Sequence, residues 1–129
     1  MLTDPSQVLA LAGLSLPSGV TEVTVTSKDD LVREWGYYYA YTVSWHGSVD
    51  TTDAFLSQFG LPLSRFFPAD RDEVTESLIM REVDVPSIVP GSRYHSKPFT
   101  PEHGAGEVMI LLDGPDYTTA HVAVVAMHI

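Results

Sequence analysis

Hydrophobic and polar positions alternate most regularly between residues 37 and 45. Aromatic or branched side chains occupy every second position there and would share one face of a strand: Tyr37, Tyr39, Tyr41, Val43 and Trp45. Tyr38 falls on the opposite face with small residues. A second alternation, over residues 20–26, places Val23 and Val25 on one face. A period of two with β-branched and aromatic residues predicts β-strands, so we expect these two strands to form a hairpin.

Helical signals mark two other segments. Asp4 and Pro5 suit the start of a helix over residues 4–12, which Gly13 would end. Residues 50–60 read as a second helix, capped by Asp50 and closed by Gly60, with a buried side made of Phe55, Leu56 and Phe59. Residues 71–81 fit a helix with Val74, Leu78 and Met80 facing inward, but the segment also fits a run into a strand over residues 78–85, and periodicity does not separate the two.

The last third of the chain contains a predicted loop and a predicted hairpin. Residues 86–106 are rich in proline, glycine and small polar residues and read as a long loop. Residues 107–112 and 118–129 read as strands joined by an Asp-Gly-Pro-Asp turn. Both faces of the last strand are largely apolar, so we expect that strand to be central or covered on both sides.

This order of elements predicts an α+β domain that spans residues 1–129. We expect a four- or five-stranded antiparallel sheet with two or three helices packed on one face. The polar segment 27–34 is interpreted as a connection.

Composition narrows the function classes. The chain has 129 residues, a formal charge of −10 and no cysteine. The absence of cysteine excludes disulfides, thiol catalysis and cysteine-based metal sites. The acidity argues against a nucleic-acid partner, since binding a phosphate backbone needs a basic face. The longest apolar stretches fall short of the ~20 residues of a membrane helix, and the first residues lack the features of a signal peptide.

A short basic segment stands out in this acidic chain. Arg93, Tyr94, His95 and Lys97 follow one another within the predicted loop. Arginine can bind a carboxylate or phosphate with two hydrogen bonds, and lysine adds a point charge. We therefore predict that a small anionic ligand binds here, against the simpler interpretation that these cations pair with the protein's own carboxylates. Tyr38 is predicted to be an exposed contact, whereas the other aromatic residues of its strand are assigned to the core.

The histidines offer one candidate metal site. If Asp113 pairs with Thr118 in the last hairpin, His103 would face His128 near Glu102 and Glu107, a set that could hold zinc. Nothing in the spacing requires this, so we predict no metal and no cofactor. None of the familiar catalytic motifs is present, and no serine lies in a nucleophile elbow.

Three segments resemble small actinobacterial envelope or lipoprotein-like domains of unknown function. They are residues 16–23 (LPSGVTEV), residues 53–56 (DAFL) and the terminal hairpin with its DGPD turn at 113–116. The lipobox cysteine typical of that group is missing. The resemblance implies no activity and transfers no functional residue, and it leaves both a cytoplasmic and an extracytoplasmic location open.

The sequence thus favours a non-enzymatic binding domain that acts on a protein or small-molecule partner, with a homodimer as a possible assembly. A first alternative is an acidic inhibitor or immunity-type protein that masks a basic surface. A second is a small enzyme with a pocket under residues 86–106, in which His95 or His103 works with a carboxylate.

Overall fold

The computed structural model describes residues 2–128. Its helices and strands are, in chain order, α1 (Pro5–Ala10), β1 (Thr21–Ser27), α2 (Asp29–Trp35), β2 (Tyr39–His46), α3 (Val49–Phe59), β3 (Phe67–Pro68), α4 (Glu73–Val83), β4 (Arg93–Phe99), β5 (Ala105–Asp113) and β6 (Thr119–Met127). A short 3₁₀ helix, Leu63–Arg65, precedes β3. The α+β class is confirmed, but residues 2–128 contain six strands rather than four or five and four α-helices rather than two or three.

The sheet is antiparallel, with the strand order β1-β2-β6-β5-β4-β3. The predicted hairpin of β1 and β2 and that of β5 and β6 are both present. The register of the second is one residue off the expectation, because Asp113 pairs with Thr119 and not with Thr118. β6 lies between β2 and β5, as its two apolar faces predicted.

The first face of the sheet packs against α1 and α3. Tyr41, Val43 and Trp45 of β2 lie on this face with alternate residues of β5 and β6. The edge of the Phe55 ring meets Trp45, with 4.9 Å between ring centroids, which fixes α3 over β2. The buried side predicted for the second helix is therefore confirmed, although Ser48 rather than Asp50 caps it.

Helices also cover the second face, contrary to the expectation of helices on one face only. Leu31 of α2 and Ile79 and Val83 of α4 are buried there against Met109, Leu111, Ala123 and Val125. The ambiguous segment 71–85 thus forms a helix, begun by the Asp72 side chain at the Thr75 amide. α2 lies largely within segment 27–34, which was predicted to be a connection. Its N-terminus has no side-chain cap, and Leu31 is its only buried residue. The sequence therefore lacks the apolar stripe that is typical of an amphipathic helix.

Strand β4 lies inside the segment that was predicted to be a loop. It pairs with β5 along its whole length, whereas β3 covers only its first two residues, Arg93 and Tyr94. Pro98 therefore lies where no outer strand is hydrogen-bonded, a position in which its missing N–H is tolerated. Because most of its side chains are polar and it contains a proline, this strand shows no hydrophobic periodicity in the sequence.

No helix within residues 2–128 is both long and apolar enough to cross a membrane.

Candidate functional site

The basic segment predicted to bind a ligand forms β4, and its side chains alternate between the two faces of the sheet. His95 pairs with Ile110 and lies on the first face with Arg93 and Lys97. Tyr94 packs against the core of the second face, and burial raises its pKa above the ordinary value. The strand therefore separates residues that the sequence places side by side.

The cations of β4 bind backbone carbonyl groups. Lys97 Nζ donates to the Phe59 carbonyl at 2.8 Å and lies 4.9 Å from the centre of the Phe59 ring. Arg93 Nη1 donates to the Phe66 carbonyl at 2.8 Å. Within residues 2–128 neither cation forms an ion pair with a carboxylate. These bonds connect α3 and the turn after it to the sheet. They do not test whether Arg93 and Lys97 also bind a ligand, so ligand binding there stays a prediction.

His95 is held in an aromatic environment. Its Nδ1–H donates to the Ser96 carbonyl at 2.8 Å, and its ring stacks on Phe67 with 5.5 Å between centroids. Phe59 and Phe66 contact the ring from other sides. No carboxylate of the described residues lies within ion-pair distance of His95, whereas His103, the other histidine of the enzyme hypothesis, has its Nε2 atom 4.0 Å from Glu102 Oε1.

Tyr38 is 45% exposed, as predicted, and its role as a contact to a ligand stays a prediction. Its ring lies 4.0 Å from the ring of His128 and 5.9 Å from that of His103. Both histidine rings therefore lie beside the Tyr38 ring, close to where the sequence analysis expected His103 to face His128. Among residues 2–128, however, no three histidine or carboxylate side chains are grouped to hold a metal ion.

The outer surfaces of α2 and α4 carry an apolar patch that includes Val74 and Leu78, so the prediction that these two residues face inward is wrong; Ile79 and Val83 form the buried side of α4 instead. We call it the helical patch; its members are Val32, Trp35, Val74, Leu78 and Arg81. Trp35 is 56% exposed, Val74 72% and Leu78 47%. The Arg81 guanidinium lies over the Trp35 ring at 4.5 Å and connects the two helices. Val74, Leu78 and Arg81 also line a shallow groove of about 420 Å³ together with Glu73 and Ser77.

A hydrogen-bond network beneath the patch fixes its centre. Arg81 Nη2 donates to Glu82 Oε1 at 3.1 Å, and the Tyr37 hydroxyl donates to the same oxygen at 2.9 Å. Burial, together with the bond to Glu82, raises the pKa of Tyr37 to about 12. The Trp35 ring therefore packs against a guanidinium that Glu82 holds in place, and not against a freely moving side chain.

Carboxylates surround the helical patch. The segment 70–84 contains six acidic residues and two arginines. Across residues 2–128, only two carboxylates, Glu82 and Asp84, pair with a lysine or arginine, and two more, Glu102 and Asp113, lie within 4.0 Å of a histidine ring nitrogen. The negative charge near the patch is therefore largely uncompensated by the protein's own cations.

A second polar group lies on the second face, at the end of the sheet near the β5–β6 turn. Ser44 of β2 pairs directly with His121 of β6, and the Ser44 Oγ atom is 2.8 Å from His121 Nδ1. His121 Nε2 is 3.0 Å from Asp113 Oδ2. The side chains of His121 and Asp113 are 15% and 23% exposed. Three neighbouring strands thus bring a serine, an imidazole and a carboxylate into one chain of hydrogen bonds.

The sequence analysis missed the hydrogen-bonded group of Ser44, His121 and Asp113 because the group depends on strand pairing. Ser44 and His121 are 77 positions apart and become neighbours only through the β2–β6 register. The one available signal was His121 itself, a polar residue in an otherwise apolar strand. Comparison with known proteins adds no further guide, since no family model, curated protein or solved structure matches this chain.

Proposed function

We propose that this protein is a binding domain for a protein partner, and that the helical patch is its docking surface. The observation that carries the proposal is the exposure of Trp35, Val74 and Leu78 beside a positioned Arg81. Tryptophan and arginine are enriched among residues that dominate binding energy in interfaces. Contiguous exposed apolar surface on a small protein commonly marks an interaction site.

The charge around the patch favours a basic partner. Asp70, Asp72, Glu73 and Glu76 lie in or just before the first turn of α4, next to Val74. A partner with an apolar centre and a lysine- or arginine-rich rim would complement this surface, and its association would be steered electrostatically. The acidic-inhibitor hypothesis is a special case of this proposal, in which the masked basic surface is the functional site of the partner.

The proposal is tested by capture from cells of the source organism with three immobilised baits. They are the native chain, the double variant Val74→Ser/Leu78→Ser, and a matched control, Val49→Ser/Val89→Ser, which replaces exposed apolar residues outside the patch. We expect a basic protein that the native and control baits retain and the patch variant loses. Its affinity for the purified chain should fall about tenfold or more in the patch variant, since a truncated hot-spot residue typically costs over ~1 kcal/mol.

Two further readouts locate and characterise the contact. Trp35 is exposed whereas Trp45 is buried, so binding at the patch should shift the Trp35 fluorescence to shorter wavelength, and Trp35→Phe should remove the shift. Raising the salt from low to about 0.3 M should slow association, because the Debye length then falls below ~8 Å. Equal retention by all three baits, or binding that is insensitive to salt, would contradict the proposal.

A further inference from the structure

The hydrogen-bond partners of His121 determine where its proton lies. A carboxylate oxygen accepts hydrogen bonds, so His121 Nε2–H is the donor in the 3.0 Å bond to Asp113. A ring whose one proton is on Nε2 has a lone pair on Nδ1, which can accept the hydroxyl proton of Ser44 across 2.8 Å. This is the order of groups that activates a serine nucleophile: a hydroxyl, a base, and a carboxylate that orients the base.

The backbone of β1 is irregular just before Thr24, the residue that pairs with Ser44. β1 contains one extra residue between the pairs Thr21–His46 and Thr24–Ser44. Glu22, in this bulge, has a φ of 54°, which a residue with a side chain rarely adopts. Bulges interrupt the ladder of backbone hydrogen bonds and occur often beside active sites. The strand next to Ser44 therefore has backbone groups released from regular pairing.

The surface around Ser44 is polar and open. Thr24 lies directly across from Ser44 on β1, and Thr26 lies across from Thr42; both threonines are exposed. His46 of the same strand face is exposed and contacts Thr119. Ser44 itself is partly exposed. A small acyl ester can reach this position, whereas the helices over the other half of the second face shield the apolar residues.

We infer that Ser44 is a nucleophile that accepts acyl groups from small esters, with His121 as its base and Asp113 as the residue that positions His121. This activity is separate from the binding proposed for the helical patch. The Ser44 Oγ atom forms a bond to the ester carbonyl carbon while its proton passes to His121 Nδ1. The ester bond to the alcohol then breaks, and the alkoxide leaves with that proton. Water then attacks the acyl carbonyl carbon while its proton passes to His121 Nδ1; the bond to Ser44 Oγ breaks, the carboxylic acid leaves, and the proton returns to Ser44 Oγ.

The first test is made on the native chain. Incubation with p-nitrophenyl acetate should release a burst of p-nitrophenol, and mass spectrometry of the quenched protein should locate one acetyl group on Ser44. A fluorophosphonate probe should modify the same residue. An unmodified Ser44 after exposure to both reagents, or acylation found at other residues instead, would overturn the inference without reliance on any variant.

Variants then assign the roles. His121→Gln should slow fluorophosphonate labelling by about 10²-fold or more, the usual contribution of a general base. Asp113→Asn should slow labelling less and should also change its pH profile, since a merely structural role would leave that profile unchanged. His103→Gln replaces an imidazole beside Tyr38, beyond the other end of β2 from Ser44, and serves as the control with native labelling. A folded His121→Gln variant that labels at the native rate would refute the assignment of the base.

Discussion

Substitution of Lys97 tests whether the basic residues of β4 stabilise the fold. The Phe59 carbonyl that Lys97 binds lies at the end of α3, where the last carbonyls have no partner within the helix. Replacing Lys97 with methionine keeps a side chain of similar length on the Phe59 ring but removes the donor and the charge. We expect this variant to be less stable than the native chain.

The size of the effect follows from the contacts that are lost. A hydrogen bond to a charged group contributes about 1.5–3 kcal/mol, and a cation at a helix C-terminus about 0.3–1 kcal/mol. One ammonium group makes both contacts and is partly exposed, so the two do not add fully. We therefore expect Lys97→Met to lower the free energy of unfolding by about 1.5–2.5 kcal/mol.

Urea denaturation followed by tryptophan fluorescence measures this loss. With a slope of about 1–3 kcal/mol/M, the midpoint should fall by roughly 1 M. Lys28→Met is the matched control, because Lys28 makes an ion pair with Asp84 near the surface and such pairs contribute about 1 kcal/mol or less. Native stability in Lys97→Met, with an unchanged slope, would refute the structural role and favour the ligand-binding hypothesis for this residue.

Three other substitutions probe the core, a turn and a titrating group. Phe55→Ala should cost about 3–5 kcal/mol, seen as a lower melting temperature, because Phe55 is fully buried against Trp45; a near-native melting temperature would contradict this. Gly104→Ala should destabilise more than Gly13→Ala: both have positive φ, but a Cβ at Gly104 would collide with the Met127 carbonyl and the Tyr38 ring, whereas Gly13 faces open space. The pKa of Tyr37 is raised to about 12 by burial and by Glu82, so above its ordinary pKa of about 10 the unfolded chain ionises first and the native chain loses stability through about pH 12. Tyr37→Phe should therefore show a smaller alkaline drop in the urea midpoint than the native chain, and equal drops would refute the assignment.

The features that sequence patterns predicted are those with a local cause. The alternation through Tyr39, Tyr41 and Val43 predicted the correct buried face of β2, since a period of two specifies a half-buried strand by itself. Tyr37, predicted on the same face, precedes β2 and packs against the second face. α3 was predicted with its buried side because Phe55, Leu56 and Phe59 repeat at helical spacing and Gly60 ends the helix in a left-handed conformation.

The features that were missed depend on tertiary contacts. β4 is stabilised by its pairing with β5 and by the Lys97 and Arg93 bonds to carbonyl groups, none of which leaves an apolar pattern. α2 is a seven-residue helix that buries Leu31 only, so its stability comes from packing and not from an amphipathic stripe. The expectation of helices on one face failed for the same reason.

The polar residues of the central strands point to where function lies in this fold. On the first face, the β2, β5 and β6 positions under α1 and α3 are apolar, which suits a role in stability alone. On the second face the same strands carry Thr42, Ser44, Asp113 and His121. Thr42 is buried with its hydroxyl unpartnered, and unpartnered burial of a polar group costs free energy. Helices α2 and α4 complete that face and also present the helical patch. Both proposed activities therefore fall on the side of the sheet where stability alone does not explain the residues present.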